Sequence, residues 1–320
     1  MTLKQLQLLR EIVRQSLNIS AAAAVLGTSQ PGISRQIQQL EHELGVLLLV
    51  RRRNRVVALT EAGSQLLDPV LRLLNEVENI GLIAAEARQD HGRLVVATSH
   101  LHARYTLMRP FQQLRAAHPT VELLLLQVEP DEIARLVAAG KADIGVGTEE
   151  DADTAHPVPS PVPSPLASSM VVLAGEVLRR SAIMPPGHAL ARRRRLSLQE
   201  IAAYPIIGYE ARSRSGQLIA RAFTASGITP RYVVRASDSD VIKAYVAQGL
   251  GVGIVPTLAI GGADRGRLGA VDVTALLAEA RTTISLRRDM YLRRHVIDFI
   301  RMVSPAWDRA AIRRAIERHN

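Results

Sequence analysis

Residues 18–45 read NISAAAAVLGTSQPGISRQIQQLEHELG, and this stretch predicts two short helices joined by one tight turn. Ser20 is expected to cap the first helix, AAAAVL, because its hydroxyl can accept a hydrogen bond from a free backbone N–H. Gly27 is expected to close that helix, since glycine tolerates the left-handed conformation in which helices end. The small alanines would allow the two helices to pack closely.

The second helix carries a polar face at its front end. Thr28 or Ser29 is expected to cap it, and Pro31 falls in the first turn, where its missing N–H is not needed. Its apolar stripe, up to Gly45, is Ile33, Ile37, Leu40 and Leu44. The candidate contacts to base edges or phosphates are Thr28, Ser29, Gln30, Pro31, Ser34, Arg35 and Gln38. The pattern predicts the reading end of a helix-turn-helix, and an ordinary helical hairpin with a polar outer face is the alternative.

The next segment predicts a small wing. Residues 46–60, VLLLVRRRNRVVALT, read as two short strands joined by an arginine-rich tip. Guanidinium groups there can contact phosphates beside a DNA groove, although such a run can also be solvated charge. The candidate phosphate contacts are Arg51, Arg52, Arg53 and Arg55. Residues 1–60 contain no Phe, Tyr or Trp to stack on unpaired bases, so duplex DNA is the expected partner.

Composition and charge exclude several classes of protein. The 320 residues are enough for two or three modules, and the lack of cysteine excludes disulfides, thiolate metal sites and a cysteine nucleophile. The net charge of +10 is concentrated at the ends, with +5 in residues 1–60 and +6 in residues 281–320. We interpret the C-terminal charge as a solvated surface. The amphipathic N-terminus and the lack of a long apolar run predict a cytoplasmic protein with no signal peptide and no membrane contact.

A long linker helix is predicted after the wing. Thr60 is its expected cap, and apolar residues then recur at alternating spacings of four and three, which is typical of a coiled-coil seam. The seam residues are Leu66, Val70, Leu73, Val77, Ile80 and Ala84. This pattern predicts dimerisation. Pro69 lies inside the helix, where it should either kink the helix or cost about 3 kcal/mol.

Beyond residues 90–92 the pattern changes to strands alternating with helices, which is typical of an α/β domain. A weak internal repeat pairs DEIARLVAAGKADIGVG, at 131–147, with DVIKAYVAQGLGVGIVP, at 240–256. Each copy follows a helix and a strand led by proline. The repeat predicts two similar lobes with a ligand-binding cleft between them, and coincidence between two helix-to-strand units is the alternative.

Hydroxyl groups mark the expected cleft. In ATSHLHARYTL, at 97–107, a strand ends in Thr98 and Ser99 and a helix starts just after them. Thr148, which ends the strand ADIGVG, is expected to face the same cleft. Hydroxyls and free backbone N–H groups at a helix N-terminus favour a small anion. As an alternative, such residues often cap helices without binding anything.

The segments AAAAVLGTSQPGISRQIQQLEHELG and LTEAG, the latter at 59–63, resemble the N-terminal module of LysR-type transcriptional regulators in residue type, order and spacing. The resemblance implies a winged helix-turn-helix over 1–60, a dimerising linker helix over 61–90 and a two-lobed, periplasmic-binding-protein-like α/β effector domain over 91–320. Lobe I is expected at about 91–163 and 269–320, and lobe II at about 164–268.

The same resemblance implies what the protein binds. The expected partners are double-stranded promoter DNA, a small-molecule effector and further copies of the chain, with a dimer of dimers as the expected homo-oligomer. RNA polymerase is a further candidate partner. Neither a cofactor nor a metal ion is expected.

Within this family the chain resembles the CysB-like branch, the regulators of sulfur assimilation. The similarity rests on TSQPGISRQIQQLEHELG, SHLHARYTL, ADIGVGTE, ASDSDVIKAYVAQGLGVGIV and the extended region after residue 290. In that branch the strand-to-helix segment binds sulfate or an acetylated serine. The implied effector contacts are Thr98, Ser99, His100, Leu101, His102, Thr148, Leu166 and Glu210. Control of sulfur metabolism genes follows from the resemblance.

The chain also departs from the branch. Leu101 stands where a threonine is usual, His102 where a glutamine is usual and Leu166 where a tryptophan is usual. Residues 207–210, ending in Glu210, replace the pattern VTYT. Losing hydroxyls and gaining a carboxylate should disfavour bare sulfate, so a larger or less anionic metabolite is expected. His102 is also expected to present a cation to the effector at low pH.

Three alternatives to a sulfur regulator remain at this point. The first is a LysR-type regulator of an unrelated pathway with an organic-acid effector. The second is a solute-binding protein, which the effector domain resembles. The third is an enzyme that uses His100, His102 and Glu210 as acid–base groups, although the sequence has no H-E-x-x-H motif, nucleophile elbow or P-loop to support it.

Overall fold

The computed structural model describes residues 1–52, 55–88, 92–150 and 170–317. The chain divides into two compact units. The first contains Met1–Gly92 together with Asp289–Arg293, and the second contains Arg93–Arg288 and the residues from Arg294 onward. The segment Asp289–Arg293 therefore differs from the expectation, which gave all of residues 91–320 to one domain.

Three helices build the core of the first unit. They are α1 (Leu3–Arg14), α2 (Ile19–Val25) and α3 (Gln30–Leu44). Their apolar faces meet in one cluster, whose most buried members include Leu9, Ile12, Ala22, Ile33, Ile37 and Leu40. The prediction of two short helices around one turn is confirmed, and α1 packs against both of them.

The N-cap of α2 is Asn18, so the prediction of Ser20 was wrong. The side-chain oxygen of Asn18 accepts a hydrogen bond from the backbone N–H of Ala21 at 3.0 Å. Asparagine and serine cap helices about equally well, so the sequence alone did not separate the two positions. Gly27 follows the helix with a φ of 60°, in the left-handed region that was predicted for it.

The N-cap of α3 is Ser29, which decides between the two predicted candidates. Its hydroxyl accepts a hydrogen bond from the N–H of Gly32 at 3.2 Å. The helix ends at Gly45, which has a φ of 71°. Leu44 is 37% exposed, so the buried part of the predicted apolar stripe ends at Leu40.

The wing consists of two antiparallel strands, β1 (Leu49–Arg52) and β2 (Arg55–Leu59). This agrees with the predicted hairpin. Two residues of its tip, Arg53 and Asn54, lie outside the described residues, and so does the side chain of Arg55.

The linker helix α4 spans Glu61–Ala87 and is continuous through Pro69. Thr60 caps it as predicted, because its hydroxyl accepts a hydrogen bond from the N–H of Gly63 at 2.9 Å. The segment that includes Tyr291 packs on the same helix, where the N–H of Tyr291 donates to the side chain of Asn79 at 2.8 Å.

The predicted seam of α4 divides into two parts. Val70 is 8% exposed and belongs to the core of the first unit, and Leu66 packs against the same core. Further along, Leu73, Val77 and Ile80 are 40%, 37% and 65% exposed. Only this second part is free to meet another chain, so the assignment of Val70 to a dimer seam was wrong.

The second unit alternates strands and helices. Its strands are β3 (Arg93–Thr98), β4 (Glu122–Gln127), β5 (Ile144–Glu150), β6 (Met170–Val177), β7 (Arg180–Met184), β8 (Ile206–Tyr209), β9 (Tyr232–Ala236), β10 (Gly253–Pro256), β11 (Gly269–Asp272) and β12 (Ala280–Arg287). Its α-helices are α5 (Met108–Ala117), α6 (Pro130–Ala138), α7 (Leu198–Ala202), α8 (Arg214–Ala225), α9 (Ser239–Ala247), α10 (Arg294–Val303) and α11 (Arg309–Glu317). A π-helical turn, His102–Thr106, precedes α5.

Two lobes result from the strand pairing. Lobe I has a five-stranded sheet of order β4-β3-β5-β12-β6, in which β3 is parallel to β4 and β5. Lobe II has the parallel pair β8 and β9 and an antiparallel sheet of order β10-β7-β11. A large apolar cluster fills lobe II between these strands and α8 and α9.

The lobe limits differ from the expected ones at 164 and 269. Strand β6 pairs with β12 in the sheet of lobe I, so residues 170–177 do not belong to lobe II. Strand β11 pairs with β7, so residues 269–272 do belong to lobe II. A sequence pattern does not show which strands pair after the chain crosses from one lobe to the other. Strand pairing decides the lobe to which a segment belongs.

The internal repeat corresponds to equivalent units in the two lobes. In each copy a helix, α6 or α9, leads into a strand, β5 or β10. Each helix is followed by a glycine in the left-handed region, Gly140 with a φ of 68° and Gly249 with a φ of 84°. Among the described residues, no helix is both long and apolar enough to cross a bilayer.

Candidate functional site

The front end of α3 presents the predicted reading residues on the surface. Gln30, Arg35 and Gln38 are exposed, and Ser34 is half-buried. The buried residues of α3 lie on the opposite side of the helix and hold it against α1 and α2. Exposed amide and guanidinium groups on one helix face can hydrogen-bond to base edges in a major groove. Thr28, the N-cap Ser29 and Pro31 are also exposed at the start of α3.

The two described arginine side chains of the wing have different surroundings. Arg51 lies 3.9 Å from Glu41, whose carboxylate is buried and accepts hydrogen bonds from the N–H groups of Leu48 and Leu49 at 2.8 and 3.1 Å. Arg51 therefore helps to neutralise a structural carboxylate. Arg52 is exposed and has no such neighbour among the described residues. The role of Glu41 was not predicted from the sequence, because it depends on the packing of α3 beside β1.

The carboxyl ends of the parallel strands face one another across the two lobes. Helical segments start directly after β3 and β4 in lobe I and after β8 and β9 in lobe II. The contacts that join these ends include the ion pair between Asp131 and Arg214 at 3.3 Å and the contact of His100 Nε2 with the carboxylate of Asp240 at 3.3 Å. Ligands of open α/β sheets bind at such carboxyl ends, so the cleft between the lobes is the candidate effector site.

Three of the predicted effector residues direct their polar groups at partners inside lobe I. Thr98 is fully buried, and its hydroxyl donates to the carbonyl oxygen of Val146 at 2.8 Å. His102 is also fully buried, with Nε2 at 2.8 Å from the hydroxyl of Thr148 and Nδ1 at 2.9 Å from that of Thr106. The hydroxyls of Thr98 and Thr148 are thus engaged inside lobe I.

Burial also sets the charge of His102. Desolvation lowers the pKa of His102 to about 4, because a charged imidazole would lose its hydration inside lobe I. The ring is therefore neutral near pH 7 and is held between two hydroxyls that can donate to one nitrogen and accept from the other. The expectation that His102 presents a cation to the effector was wrong.

The remaining predicted effector residues take separate positions. Ser99 is half-buried at the end of β3, and its hydroxyl has no hydrogen bond to a described residue. Leu101 packs against the apolar cluster of lobe II, and Glu210, after β8, pairs with Arg212 at 2.8 Å. Leu166 lies outside the described residues. Ser99 therefore has the one predicted side-chain hydroxyl of this set that is open to a ligand among the described residues.

Asp240, at the start of α9, is held by side chains of lobe I. Tyr105 donates to its carboxylate, His100 Nε2 lies 3.3 Å from it and Arg104 Nε lies 3.6 Å from it. Partial burial opposes ionisation, yet the hydrogen bond from Tyr105 and the charge of Lys243 keep the pKa of Asp240 below its usual value. This cluster joins the lobes, and it was not predicted from the sequence.

Lys243 extends the same cluster into lobe II. Its ammonium group donates to the carbonyl oxygen of Ala259 at 2.6 Å and to Asp264 at 3.2 Å. Burial opposes its charge, but the hydrogen bonds to Tyr105 and Asp264 raise the pKa of Lys243 overall. The lysine is therefore a cation at neutral pH, with its donors directed at oxygen atoms.

The cluster resembles a metal site in one respect. Ligand atoms of His100, Asp238 and Asp240 lie within 4.8 Å of one another. However, Asp240 is already paired with Arg104 and Lys243, whose charges would repel a metal ion. Asp238 caps α9 by accepting a backbone N–H. We therefore interpret the group as a contact between the lobes.

A cavity of about 610 Å³ opens beside the cluster, between α5, α9 and residues 259–268. Arginine side chains at 104, 109 and 267 lie around it. Thr98, Ser99 and Thr148 do not line it, so it is separate from the predicted effector set. No sequence pattern predicted this cavity, because its walls come from three distant segments.

Comparison with known protein families decides the identity of the two modules. Residues 3–64 match the family described as "Bacterial regulatory helix-turn-helix protein, lysR family". Residues 87–308 match the family described as "LysR substrate binding domain". The chain belongs to the LysR family of transcriptional regulators.

Relatives of this LysR-type regulator cover nearly all of its length. The transcriptional regulator SsuR of Burkholderia cenocepacia is 38% identical over 313 residues, which are 98% of this chain and 97% of SsuR. The regulator CysB of the same species is 36% identical over 99% of this chain and 97% of CysB. The regulator cbl of Escherichia coli is 34% identical over 99% of this chain and 96% of the length of cbl. These relatives are regulators, which excludes the enzyme and solute-binding alternatives.

Solved structures support the same architecture. The cofactor-binding domain of the Cbl regulator matches with a TM-score of 0.60 and 31% identity, covering 71% of this chain and 94% of that domain. Full-length OxyR of Pseudomonas aeruginosa matches in fold with a TM-score of 0.66 at 18% identity, covering 95% of this chain and 94% of OxyR. The predicted winged helix-turn-helix followed by a two-lobed α/β domain is confirmed.

Proposed function

We propose that this LysR-type regulator controls genes of sulfur metabolism, those for sulfate, sulfonate or cysteine, in response to a small anionic metabolite. The observation that carries the proposal is the similarity to SsuR, CysB and cbl over 98–99% of this chain. The similarity includes the effector domain as well as the DNA-binding module. The CysB-like motif around Ser99 adds the residue-level resemblance to sulfur-assimilation regulators.

We propose duplex promoter DNA as the partner of the first unit. Gln30 and Arg35 would contact base edges, and Arg52 would contact phosphates beside the groove. Since promoter DNA is its partner, we propose that the protein acts in the cytoplasm. RNA polymerase is a further proposed partner, because activation of transcription requires contact with it.

We propose that the effector binds between the lobes, near the end of β3. The open hydroxyl of Ser99 and the free backbone N–H groups after it supply hydrogen-bond donors to an anion. Ligand binding would stabilise one arrangement of the two lobes, and the lobes would transmit that preference to the DNA-binding units. The proposed assembly is a dimer of dimers, in which the exposed apolar stripe of α4 forms one contact.

A second candidate is a LysR-type regulator of another pathway with an organic-acid effector. It is favoured by the commitment of the Thr98 and Thr148 hydroxyls to partners inside lobe I. It is also favoured by the apolar Leu101, which packs against lobe II. Both features reduce the number of donors available to a fully charged, compact ion such as sulfate.

A thermal-shift screen of the full chain distinguishes the two candidates. The probes are sulfate, ethanesulfonate, O-acetyl-L-serine and succinate, because a ligand of the native state raises the melting temperature. Stabilisation by sulfate, ethanesulfonate or O-acetyl-L-serine supports the sulfur regulator. Stabilisation by succinate alone supports the second candidate and contradicts the first.

A substitution then locates the site. Ser99→Ala should weaken binding of the stabilising probe about tenfold, because a hydrogen bond to a charged group is worth about 1.5–3 kcal/mol and a neutral one somewhat less. Ser226→Ala removes a hydroxyl that bonds to the carbonyl of Ala222, at the far end of α8, and serves as the matched control. Unchanged affinity in Ser99→Ala would contradict the placement of the site and leave the regulatory function standing.

A further inference from the structure

Lobe II carries four consecutive arginines between a 3₁₀ turn, Ala189–Arg192, and α7. Their side chains are all exposed, and they are Arg192, Arg193, Arg194 and Arg195. Within the described part of the chain, no carboxylate lies within ion-pair distance of any of them. Hydrogen bonds from Ser197 chiefly hold the pKa of the half-buried Glu200 below its usual value, and the charge of Arg193 adds to this effect through space.

A second basic segment adjoins the first. Arg265 and Arg267 are exposed in the turn before β11, and neither forms an ion pair with a described residue. Strand β11 packs against the 3₁₀ turn so closely that a Cβ atom on Gly269 would lie 2.8 Å from the Cβ of Ala191. The fold therefore brings the two segments that carry these six arginines close together in lobe II, and we call the six residues the lobe II arginine cluster.

The cluster is a local excess of charge and has no visible role in folding. Residues 61–280 contain 22 Lys and Arg against 23 Asp and Glu, so this part of the chain is nearly neutral as a whole. Like charges that crowd together destabilise the folded state by repulsion. No ion pair with a described carboxylate offsets this repulsion at the cluster.

The chemistry of the cluster fits phosphates better than other partners. Exposed aromatic and large apolar side chains form the centre of protein interfaces and anchor proteins to membranes. Residues 189–200 and 262–269 have none, since Leu196 and Leu198 are buried and Leu268 is half-buried. The same lack of aromatic rings disfavours single-stranded nucleic acid. Guanidinium groups form bidentate hydrogen bonds to phosphate oxygens.

We propose that the lobe II arginine cluster is a second DNA-contacting surface, which binds the phosphate backbone of duplex DNA without reading bases. The contact would add affinity and salt dependence to the sequence-specific contact of the helix-turn-helix. It depends on the DNA binding of the LysR family and is independent of the effector and of the genes controlled.

The test compares two full-length variants with equal loss of charge. One replaces Arg192, Arg193, Arg194 and Arg195 with Gln, and the control replaces Arg301, Arg309, Arg313 and Arg314, which lie on α10 and α11, with Gln. Binding to a 60-base-pair mixed-sequence duplex is measured by fluorescence anisotropy between 50 and 200 mM NaCl. Each phosphate contact contributes about 0.9 to the slope of log K against log salt.

The cluster variant should lower the slope by up to about 3.6, so that wild-type affinity falls about 100-fold more than that of the variant across this salt range. The control should keep the wild-type slope, and Lys at all four cluster positions should restore most of it. The melting temperature should stay near that of wild type, because the replaced side chains are exposed. A double variant, Arg265→Gln with Arg267→Gln, should lower the slope by about 1.8.

Two results would overturn the proposal. The first is a cluster variant with the wild-type slope, and the second is a control whose slope falls as much, which would show a general effect of net charge. If the first result came together with loss of binding to phosphatidylglycerol vesicles, the cluster would be assigned to a membrane surface. In each case the helix-turn-helix would remain the DNA-binding module.

Discussion

The imidazole Nε2 of His102 lies 2.8 Å from the hydroxyl oxygen of Thr148. This contact joins the helical turn after β3 to strand β5 and places both groups inside lobe I. A glutamine, usual at position 102 in the CysB-like branch, could make a similar hydrogen bond but could not take up a proton. The substitution therefore makes the stability of lobe I sensitive to acid.

We expect the free energy of unfolding to fall as the pH decreases from about 6.5 towards 4, because burial lowers the pKa of His102 to about 4 in the folded state. The unfolded chain takes up the proton at the ordinary pKa of about 6.5, so the stabilisation is complete above 6.5 and is lost below it. The largest effect is about 3 kcal/mol. Urea unfolding of wild type and His102→Gln at pH 7.5 and pH 5 measures it.

At pH 5 the wild type should have lost about 2 kcal/mol more than His102→Gln, relative to pH 7.5. Equal losses in the two proteins would show that His102 is not the source. For the same reason, effector binding between pH 6 and pH 8 should not depend on protonation of His102.

The reading face of α3 and the wing should respond differently to alanine. Arg35→Ala should reduce affinity for particular base pairs by about 1–3 kcal/mol, since a bidentate contact to a base is lost. Arg52→Ala should weaken all sequences alike and lower the salt slope by about 0.9. Selection of binding sites from a random duplex pool, followed by salt titration, measures both. Unchanged discrimination in Arg35→Ala would contradict its base-reading role.

How much of the molecule could be predicted depends on the range of the interactions. The cap at Thr60 and the glycine ends of α2 and α3 depend on neighbours within a few residues, so the local sequence was enough to predict them. For the cap of α3 it left Thr28 and Ser29 as alternatives. The core position of Val70, by contrast, depends on helices that are distant in sequence. A heptad pattern predicts an apolar stripe, but it does not show whether the same chain or a second chain buries that stripe.

The candidate effector site shows the same limit more strongly. Sequence similarity located the segment from Thr98 to His102 correctly at the start of a helix after β3. It did not predict that His102 points into lobe I or that Asp240 joins the lobes, because both depend on packing between distant segments. The lobe II arginine cluster was not predicted for another reason. Acidic residues nearly balance the basic ones over residues 61–280, so the net charge of that region does not reveal a local excess.

The exposed part of the α4 stripe should carry the dimer contact. Val77→Glu and Ile80→Glu would place like charges in the proposed contact between two copies, so sedimentation should show smaller species. Glu76→Gln, on the same helix and exposed, is the matched control and should leave the assembly unchanged. An unchanged oligomer in both Glu variants would contradict the contact.

Val70→Glu tests the other part of the stripe. Val70 is 8% exposed in the core of the first unit, so a carboxylate there should destabilise that unit by several kcal/mol. The loss should appear as early melting and loss of DNA binding. If Val70→Glu folded normally and changed only the assembly, the result would support the assignment of Val70 to the dimer seam.

The contact between the lobes at Asp240 should contribute more to the free energy of unfolding than the contact at Asp131. Asp240→Asn would leave Lys243, whose side chain is 10% exposed, without one of its two carboxylates. Because Asp240 itself is 36% exposed, solvent screening limits the expected loss to about 1–2 kcal/mol. Asp131→Asn removes the pair with Arg214, in which Asp131 is 70% exposed, and should cost less than about 1 kcal/mol.

Calorimetric melting of the two full-length variants measures the difference between their losses of stability. The pH dependence of that difference shows whether the carboxylate of Asp240 causes it. The pKa of Asp240 is held below its usual value, so its contribution is complete above pH 3.8 and is lost as the pH falls through the pKa of the folded state. Wild type and Asp240→Asn should therefore differ most near neutral pH and converge in acid. A melting temperature that falls as much in Asp131→Asn as in Asp240→Asn would show that the buried lysine gives Asp240 no special role in holding the lobes together.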